Sequence, residues 1–360
     1  MNVLHINEQR GWRGGEQQAS YLIQGLAERG HTVVIAGRAG QPFLESDHGV
    51  AGIARVAAPF LVELDLWTAA VLAQAVKRHA IDVLHAHTSH AHTAACLARR
   101  LARRGKVVVS RRVDFAPRKG PLNRWKYAQP DMIVCVADYI ADVLRAYGVP
   151  ESRLAVVHSG IDPARFDVEP LPRSALGAPE GVPLLGNVAA LVGHKDHANL
   201  LAAMPLVLRE LPDLRLVIVG EGELRAPLEA QIAQLGLARA VTLLGYRDDV
   251  PRILRALDAF VLSSRMEGFG GVCSEAMACG LPVVSTAAGG MPETVIHEQT
   301  GLLAPTRDPE ALAAAVVRIF REPDLARRLA ANGKRQAIER FSHHRMVEGN
   351  LAVYAEVLSK

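Results

Sequence analysis

At 360 residues the chain is too long for one ordinary domain and suits two of roughly 150–200 residues each. Apolar residues make up 49% and aromatics only 5%, which excludes disorder and calls for cores of Ala, Leu and Val, as where helices pack on a parallel sheet. Lys plus Arg at 41 against Asp plus Glu at 37 leaves +4, too small an excess for a nucleic-acid-coating protein.

Short apolar runs alternate with longer Ala/Leu/Arg stretches of helical period, the rhythm of βαβ units. Strands are expected at 2–6, 32–36, 83–86, 106–110, 132–136 and 154–157, with the first helix at 17–28. Together these make residues 1–168 a doubly wound α/β domain. Residues 169–183 are rich in Pro, Gly and Ala without a sustained period and read as a linker. The rhythm restarts with strands at 184–188, 215–219, 241–243, 259–262 and 282–285, giving a second α/β domain over 184–342. In the tail, 343–360, apolar Met346, Val347, Leu351, Val353, Tyr354 and Leu358 recur at helical spacing, as a helix crossing back to the first domain would require. Two Rossmann-like doubly wound domains are therefore expected to face a cleft, with ligands at the carboxyl ends of the strands.

No apolar run reaches the ~18 residues of a membrane span, and MNVLHINEQR has no basic segment ahead of an apolar core, so a cytoplasmic location is expected. Cys96, Cys135, Cys273 and Cys279 lack metal-ligand spacing and read as reduced thiols.

Chemistry concentrates in the run SSRMEGFGGVCSEAMACGLPVVSTAAGGMPETV from Ser263. Glu267 leaves a strand, the following glycines allow close backbone approach, and a short helix begins near Val272 and stops at Gly280. A helix N-terminus behind a glycine-rich loop is an anion site, with free N–H groups expected near Gly271, Val272 and Cys273. Glu275 is expected in the first helical turn, where the helix dipole favours it. As an isolated pair the two glutamates would read as a solvated loop carboxylate and a dipole partner, but the strand, glycine loop, helix stop and second Gly-Gly-Met-Pro-Glu turn together argue for a site.

Glu267 and Glu275 stand in E-x7-E spacing, and the whole run resembles the donor site of retaining glycosyltransferases of the GT-B fold, family 4 (glycosyl transferases group 1). Gly14-Gly15-Glu16, HSGID at 158–162, LVGHKDH around Lys195, VGEGEL at 219–224 and LGYRDDV at 244–250 follow in the order that family implies. The resemblance implies transfer of a sugar from a UDP-, GDP- or ADP-sugar to an acceptor hydroxyl, in cell-envelope polysaccharide, lipopolysaccharide or glycolipid synthesis. It implies no cofactor and no metal. Glu275 would accept the ribose hydroxyls, and Glu267 would hold the donor sugar. The backbone of Phe269, Gly270, Gly271 and Val272 would face sugar and pyrophosphate. Lys195 would neutralise the leaving group, the Gly14-Gly15 turn would approach the same phosphates, and Tyr246 and Arg247 would line the base pocket.

The chain departs from the family at Ala190, where an arginine is usual, and at Ser110-Arg111-Arg112-Val113-Asp114, where many members carry a histidine. Arg111 or Arg112 is expected to restore the missing charge, and Asp114 to serve as base for the acceptor. His87 and His90, in the run His85 to His92, are expected on the acceptor side; a metal there would want a carboxylate, and none lies between Leu84 and Arg99. VGEGEL begins like a dinucleotide fingerprint, but Arg225 takes the place of the third glycine, so a tight strand-to-helix turn is preferred to a dehydrogenase site. A nucleotide-sugar epimerase of the same fold is the other alternative. Between Arg99 and Lys126, eleven basic residues are opposed by Asp114 alone. This patch suits an anionic membrane surface presenting a lipid-linked saccharide, with the protein peripheral on the inner face, or else a plain solvated face with a soluble saccharide acceptor.

Overall fold

The computed structural model describes all of residues 1–360. The chain divides into two units, Met1–Gly160 with His343–Lys360, and Ile161–Ser342. Unit 1 carries strands β1 (Asn2–Ile6), β2 (Thr32–Gly37), β3 (Ala54–Ala57), β4 (Val83–Ala86), β5 (Lys106–Arg111), β6 (Met132–Cys135) and β7 (Leu154–Val156). They form one seven-stranded parallel sheet in the order β3-β2-β1-β4-β5-β6-β7. Unit 2 carries β8 (Leu184–Val188), β9 (Arg215–Val219), β10 (Val241–Gly245), β11 (Ala259–Leu262), β12 (Val283–Thr286) and β13 (Leu302–Ala304). Its six-stranded parallel sheet runs β10-β9-β8-β11-β12-β13. Both sheets reverse strand order beside their first strand, between β1 and β4 and between β8 and β11, and such switch points open a crevice at the strands' carboxyl ends.

Unit 2 shows why the strands read as continuous apolar runs. Along β9, Leu216 and Ile218 enter one core while Val217 and Val219 enter the other, and along β11, Ala259 and Val261 alternate with Phe260 and Leu262. Successive side chains point to opposite faces, so a sheet covered by helices on both sides needs apolar residues at every position. The segment 169–183 packs with unit 2: Leu176 and Ala178 are buried in its core, and Arg173–Leu176 forms a single 3-10 turn.

The C-terminal helix His343–Ser359 belongs to unit 1, where Val347, Val353, Tyr354 and Val357 join the core with Leu22 and Leu26 of the helix Gly14–Glu28. A Cβ at Gly25 would lie 2.5 Å from a Val347 methyl, so glycine is what lets these two helices meet. Two strands escaped the sequence reading: β3, an edge strand of half-buried and exposed residues, and β13, only three residues long.

Candidate active site

In unit 2 the loops leaving β8 and β11 meet at the switch point. Lys195 ends the loop after β8, and Glu267 lies five residues past the end of β11. Their side chains form an ion pair, Nζ to Oε2 at 2.5 Å, and both are largely buried, 19% and 14% exposed. Ser264 Oγ donates to the same carboxylate oxygen at 3.2 Å, and Ser263 Oγ donates to the Lys195 carbonyl at 3.0 Å, tying the two loops together.

Gly270 follows in the left-handed region, with φ +68°, as N-cap of the helix Gly271–Ala278. A Cβ there would sit 2.2 Å from Met291 Sδ, so only glycine fits both the dihedral and the space. Met291 opens the short helix Met291–Thr294 after β12, and its N-cap Gly290 donates its N–H to the Glu267 carbonyl at 3.0 Å, bracing the Glu267 loop. Phe269 is buried and meets Phe341 edge-on, with ring centroids 5.0 Å apart. Cys273 N–H is spent on the Gly270 carbonyl, so the unspent donors of this helix start are Gly271 and Val272, not Cys273 as the sequence suggested.

Glu275 also differs from expectation: it is the fifth helical residue, one turn past the position where the dipole helps most. Its carboxyl makes no hydrogen bond. Burial pushes it up to about 7, and Arg165 only partly offsets this. An acidic group held near neutrality without partners is costly in the empty protein and ready for a ligand that brings donors.

The pieces at the edge of this sheet are looser. Tyr246, after β10, is 74% exposed, and Arg247 is occupied by Asp249 at 2.6 Å. The VGEGEL turn is a packing device, because Gly222 lies where a Cβ would be 2.4 Å from the Leu191 carbonyl oxygen, and Glu221 pairs with Arg225. One cation went unnoticed in the sequence. Arg265, two residues before Glu267, is exposed, and its guanidinium lies 3.3 Å from the Cβ position of Gly193 in the Lys195 loop, with no acceptor of its own. Its signal was a lone arginine inside an otherwise uncharged Ser-Ser-Arg-Met run.

In unit 1 the corresponding loops are built differently. Gly14 and Gly15 are not a turn after β1 but the first residues of the helix Gly14–Glu28, because Glu16 reaches back to cap Arg13 N–H at 3.0 Å. Arg112, after β5, lies against this start, with Cδ 3.9 Å from the Cβ position of Gly15. Its guanidinium donates to the His87 carbonyl at 3.2 Å and to His87 Nδ1 at 3.3 Å. Burial pulls its pKa down to about 10, which still leaves it charged at neutral pH. Arg111 instead is consumed by Tyr127 Oη at 2.7 Å and by the Phe115 carbonyl.

Register explains the histidine cluster. His5 on β1 pairs with His85 on β4, and His87 lies two residues on, so three buried imidazoles share one face. Burial drives His5 down to about 3 and His85 and His87 well below the usual range, so all three are neutral. Arginine only donates, so His87 Nδ1 accepts, its Nε2–H donates to His5 Nδ1 at 3.0 Å, and His5 Nε2–H is left without an acceptor. A metal-binding histidine turns its outer N–H towards an acceptor, whereas the outer nitrogen of His87 faces the Arg112 cation, and His85 is engaged by Tyr354 and Ser110. His87 is thus buried, while His90 is half-exposed between Glu63 at 3.1 Å and Glu8 at 3.6 Å. Asp114 is half-buried in the loop after β5 and carries no hydrogen bond.

Comparison with known proteins agrees with this geometry. The profile described as "Glycosyl transferases group 1" matches residues 169–336, and that of "Glycosyltransferase Family 4" matches residues 12–165. An uncharacterised glycosyltransferase of Methanocaldococcus jannaschii is 30% identical over 59% of this chain and 56% of its own length, so the match spans little more than half of that relative. A putative glycosyltransferase of Bacillus subtilis, EpsD, is 29% identical over 79% of both chains. Among solved structures, Anabaena HepE in complex with UDP-glucose superposes with a TM-score of 0.85 at 23% identity, over 100% of this chain and 99% of its own. The two adjoining family matches and the paired Rossmann-like sheets together place this chain among the group 1, family 4 glycosyltransferases of the GT-B fold.

Proposed function

We propose that the protein transfers a sugar from a nucleotide-sugar donor to an acceptor hydroxyl with retention at the anomeric carbon, and that unit 2 holds the donor. The observation that carries this reading is the partly buried Lys195–Glu267 pair at the β8/β11 switch point, beside unspent helix N–H groups and a partnerless Glu275. Glu275 accepts two ribose hydroxyls, which replace the hydrogen bonds it lacks. The Gly271 and Val272 N–H groups and Lys195 face the pyrophosphate, and Glu267, steered by Ser264, orients the sugar. As the bond from the anomeric carbon to the phosphate oxygen breaks, negative charge grows on the diphosphate, and Lys195 meets it without requiring a metal. The acceptor oxygen bonds to the anomeric carbon on the same face, and its proton passes to the departing phosphate oxygen.

Arg112 and Arg265 are the candidates for the charge missing at Ala190, since Arg111 is spent internally. The acceptor falls to unit 1, where Arg10, Arg38, Gln41 and Pro59, beyond the ends of β1, β2 and β3, border an open cavity of about 490 Å3. His90, at the start of the helix Ser89–Ala102, and Asp114, in the loop after β5, are the candidates for orienting the acceptor hydroxyl. No helix is long and apolar enough to cross a membrane. The basic stretch around the helix Pro121–Ala128 supports a lipid-linked saccharide acceptor presented at an anionic membrane surface, as in envelope polysaccharide or glycolipid synthesis.

The test is turnover with UDP-glucose, the ligand of HepE, followed by GDP- and ADP-sugars, with the product anomer read by NMR. Retention, together with a fall of at least a hundredfold in Glu267→Gln, is expected; an inverted product would overturn the mechanism.

A further inference from the structure

The segment from β3 into the first turn of the helix Leu66–Arg78 leaves Leu61, Val62, Leu64, Leu66 and Trp67 50–73% exposed, the most concentrated run of exposed large apolar residues in the chain. This is a braced ridge rather than a loose loop. Asp65, buried beneath it, accepts from Leu61 N–H at 2.8 Å, from Trp67 N–H and Thr68 N–H at 3.0 Å, and from Thr68 Oγ at 2.7 Å. Arg38 clamps the Pro59 and Phe60 carbonyls, and Thr68 Oγ takes the Phe60 N–H at 2.8 Å. From Leu61 to Trp67 the polar Glu63 and Asp65 turn inward and the apolar side chains outward, the reverse of a solvated loop, while Phe60 anchors the base of the ridge in the core.

Glu63 points inward as well and pairs with the buried Lys126 at 2.5 Å, which ties the ridge to the helix Pro121–Ala128. One turn before Lys126, on the same helix face, Leu122 is exposed, as are Val113 and Phe115 in the preceding loop. Arg118, Lys119 and Arg124 are exposed on this same stretch, and none of them has an acidic partner.

We propose that this ridge is the membrane-docking element: Leu61, Val62, Leu64, Leu66 and Trp67 enter the interfacial region of a bilayer while Arg118, Lys119 and Arg124 meet anionic headgroups. The proposal rests on the membrane-surface reading of the acceptor and names the surface that performs it. Preordered Leu and Trp side chains, tied through Glu63–Lys126 to an element that carries unpaired cations, are the composition that interfacial anchoring uses. A second copy of the chain is a poorer occupant, because it brings the same excess of positive charge and no complement to it.

The test is sedimentation of the full chain with phosphatidylcholine vesicles, with and without 30% phosphatidylglycerol, alongside a nucleotide-sugar thermal shift. Wild type is expected to partition at least tenfold more strongly onto the anionic vesicles and to be released by salt. The double variant Leu66→Ser/Trp67→Ser is expected to lose about tenfold or more of that binding. Arg118→Glu/Lys119→Glu/Arg124→Glu is expected to lose the preference for anionic lipid. All variants keep the wild-type donor-induced shift, because none of these residues is among those assigned to the donor. Equal sedimentation of wild type and variants, or no wild-type binding, overturns the ridge assignment while the donor shift leaves the transferase reading standing. A concentration-dependent dimer abolished by Leu66→Ser/Trp67→Ser would assign the ridge to a second copy and also overturn it.

Discussion

Glu275→Gln separates binding from stability in opposite directions. In the fold the carboxyl titrates at about 7, against an ordinary value of 4.5, because burial disfavours its charge. The raised value means that the folded state prefers the protonated form, so ionisation is a penalty. It is absent below pH 4.5, accrues as pH rises from 4.5 to 7, and is complete above 7. At ~1.4 kcal/mol per pH unit the gap amounts to about 3 kcal/mol, an upper limit because water still reaches the residue. Glutamine keeps the shape without the charge. The empty variant should therefore match wild type near pH 4.5 and be more stable at pH 8 by about 1–3 kcal/mol, a rise of several degrees in the melting temperature of unit 2. The same change removes the acceptor for the ribose hydroxyls, so donor affinity should fall by tenfold or more. In wild type, donor binding below pH 7 should release a proton and weaken by up to tenfold per pH unit. Calorimetric melting at pH 5 and pH 8, with titration of nucleotide-sugar at both, tests each part. A Glu275→Gln protein that is less stable than wild type at pH 8, or that binds donor equally well, would refute the reasoning.

Other outcomes follow from the same geometry. Arg111→Ala should leave donor affinity unchanged, whereas Arg112→Ala or Arg265→Ala should lower it several-fold; isothermal titration of all three decides which cation stands in for the one missing at Ala190. Lys195→Ala strands Glu267 without its partner, so kcat should drop at least a hundredfold while circular dichroism shows a folded protein. Gly270→Ala forces both a left-handed dihedral and a clash with Met291, and should lower stability by about 1–3 kcal/mol in thermal melts, with loss of donor binding.

Much of the fold was legible because apolar runs on a two-sided parallel sheet are hard to mistake: β1, β2, β4 to β6, β8, β9, β11 and β12 lie where such runs occur. What escaped had a physical reason. β3 is an edge strand with Arg55 exposed, and β13 is too short to show a period. Gly14 and Gly15 look like a turn until Glu16 is seen to cap the helix around them. The resemblance marked Lys195 and Glu267 for different parts of the donor, and their ion pair, between positions 72 apart in sequence, emerges only from the meeting of the two loops. Neither the approach of Arg265 to the Lys195 loop nor the outward Leu61 to Trp67 ridge could be read from sequence. Proximity to another loop identifies the first and side-chain direction the second, and a run of Phe, Leu, Val and Trp reads equally well as buried core.

A calorimetric titration of UDP-, GDP- and ADP-sugars into the wild-type protein and Glu275→Gln, at pH 8 with EDTA present, bears most directly on unit 2 as the donor site. One of the three sugars should bind wild type without divalent metal and bind the variant at least tenfold more weakly. Equal affinity for both proteins, or no binding until a metal is supplied, would contradict a donor held by Lys195, Glu267 and Glu275.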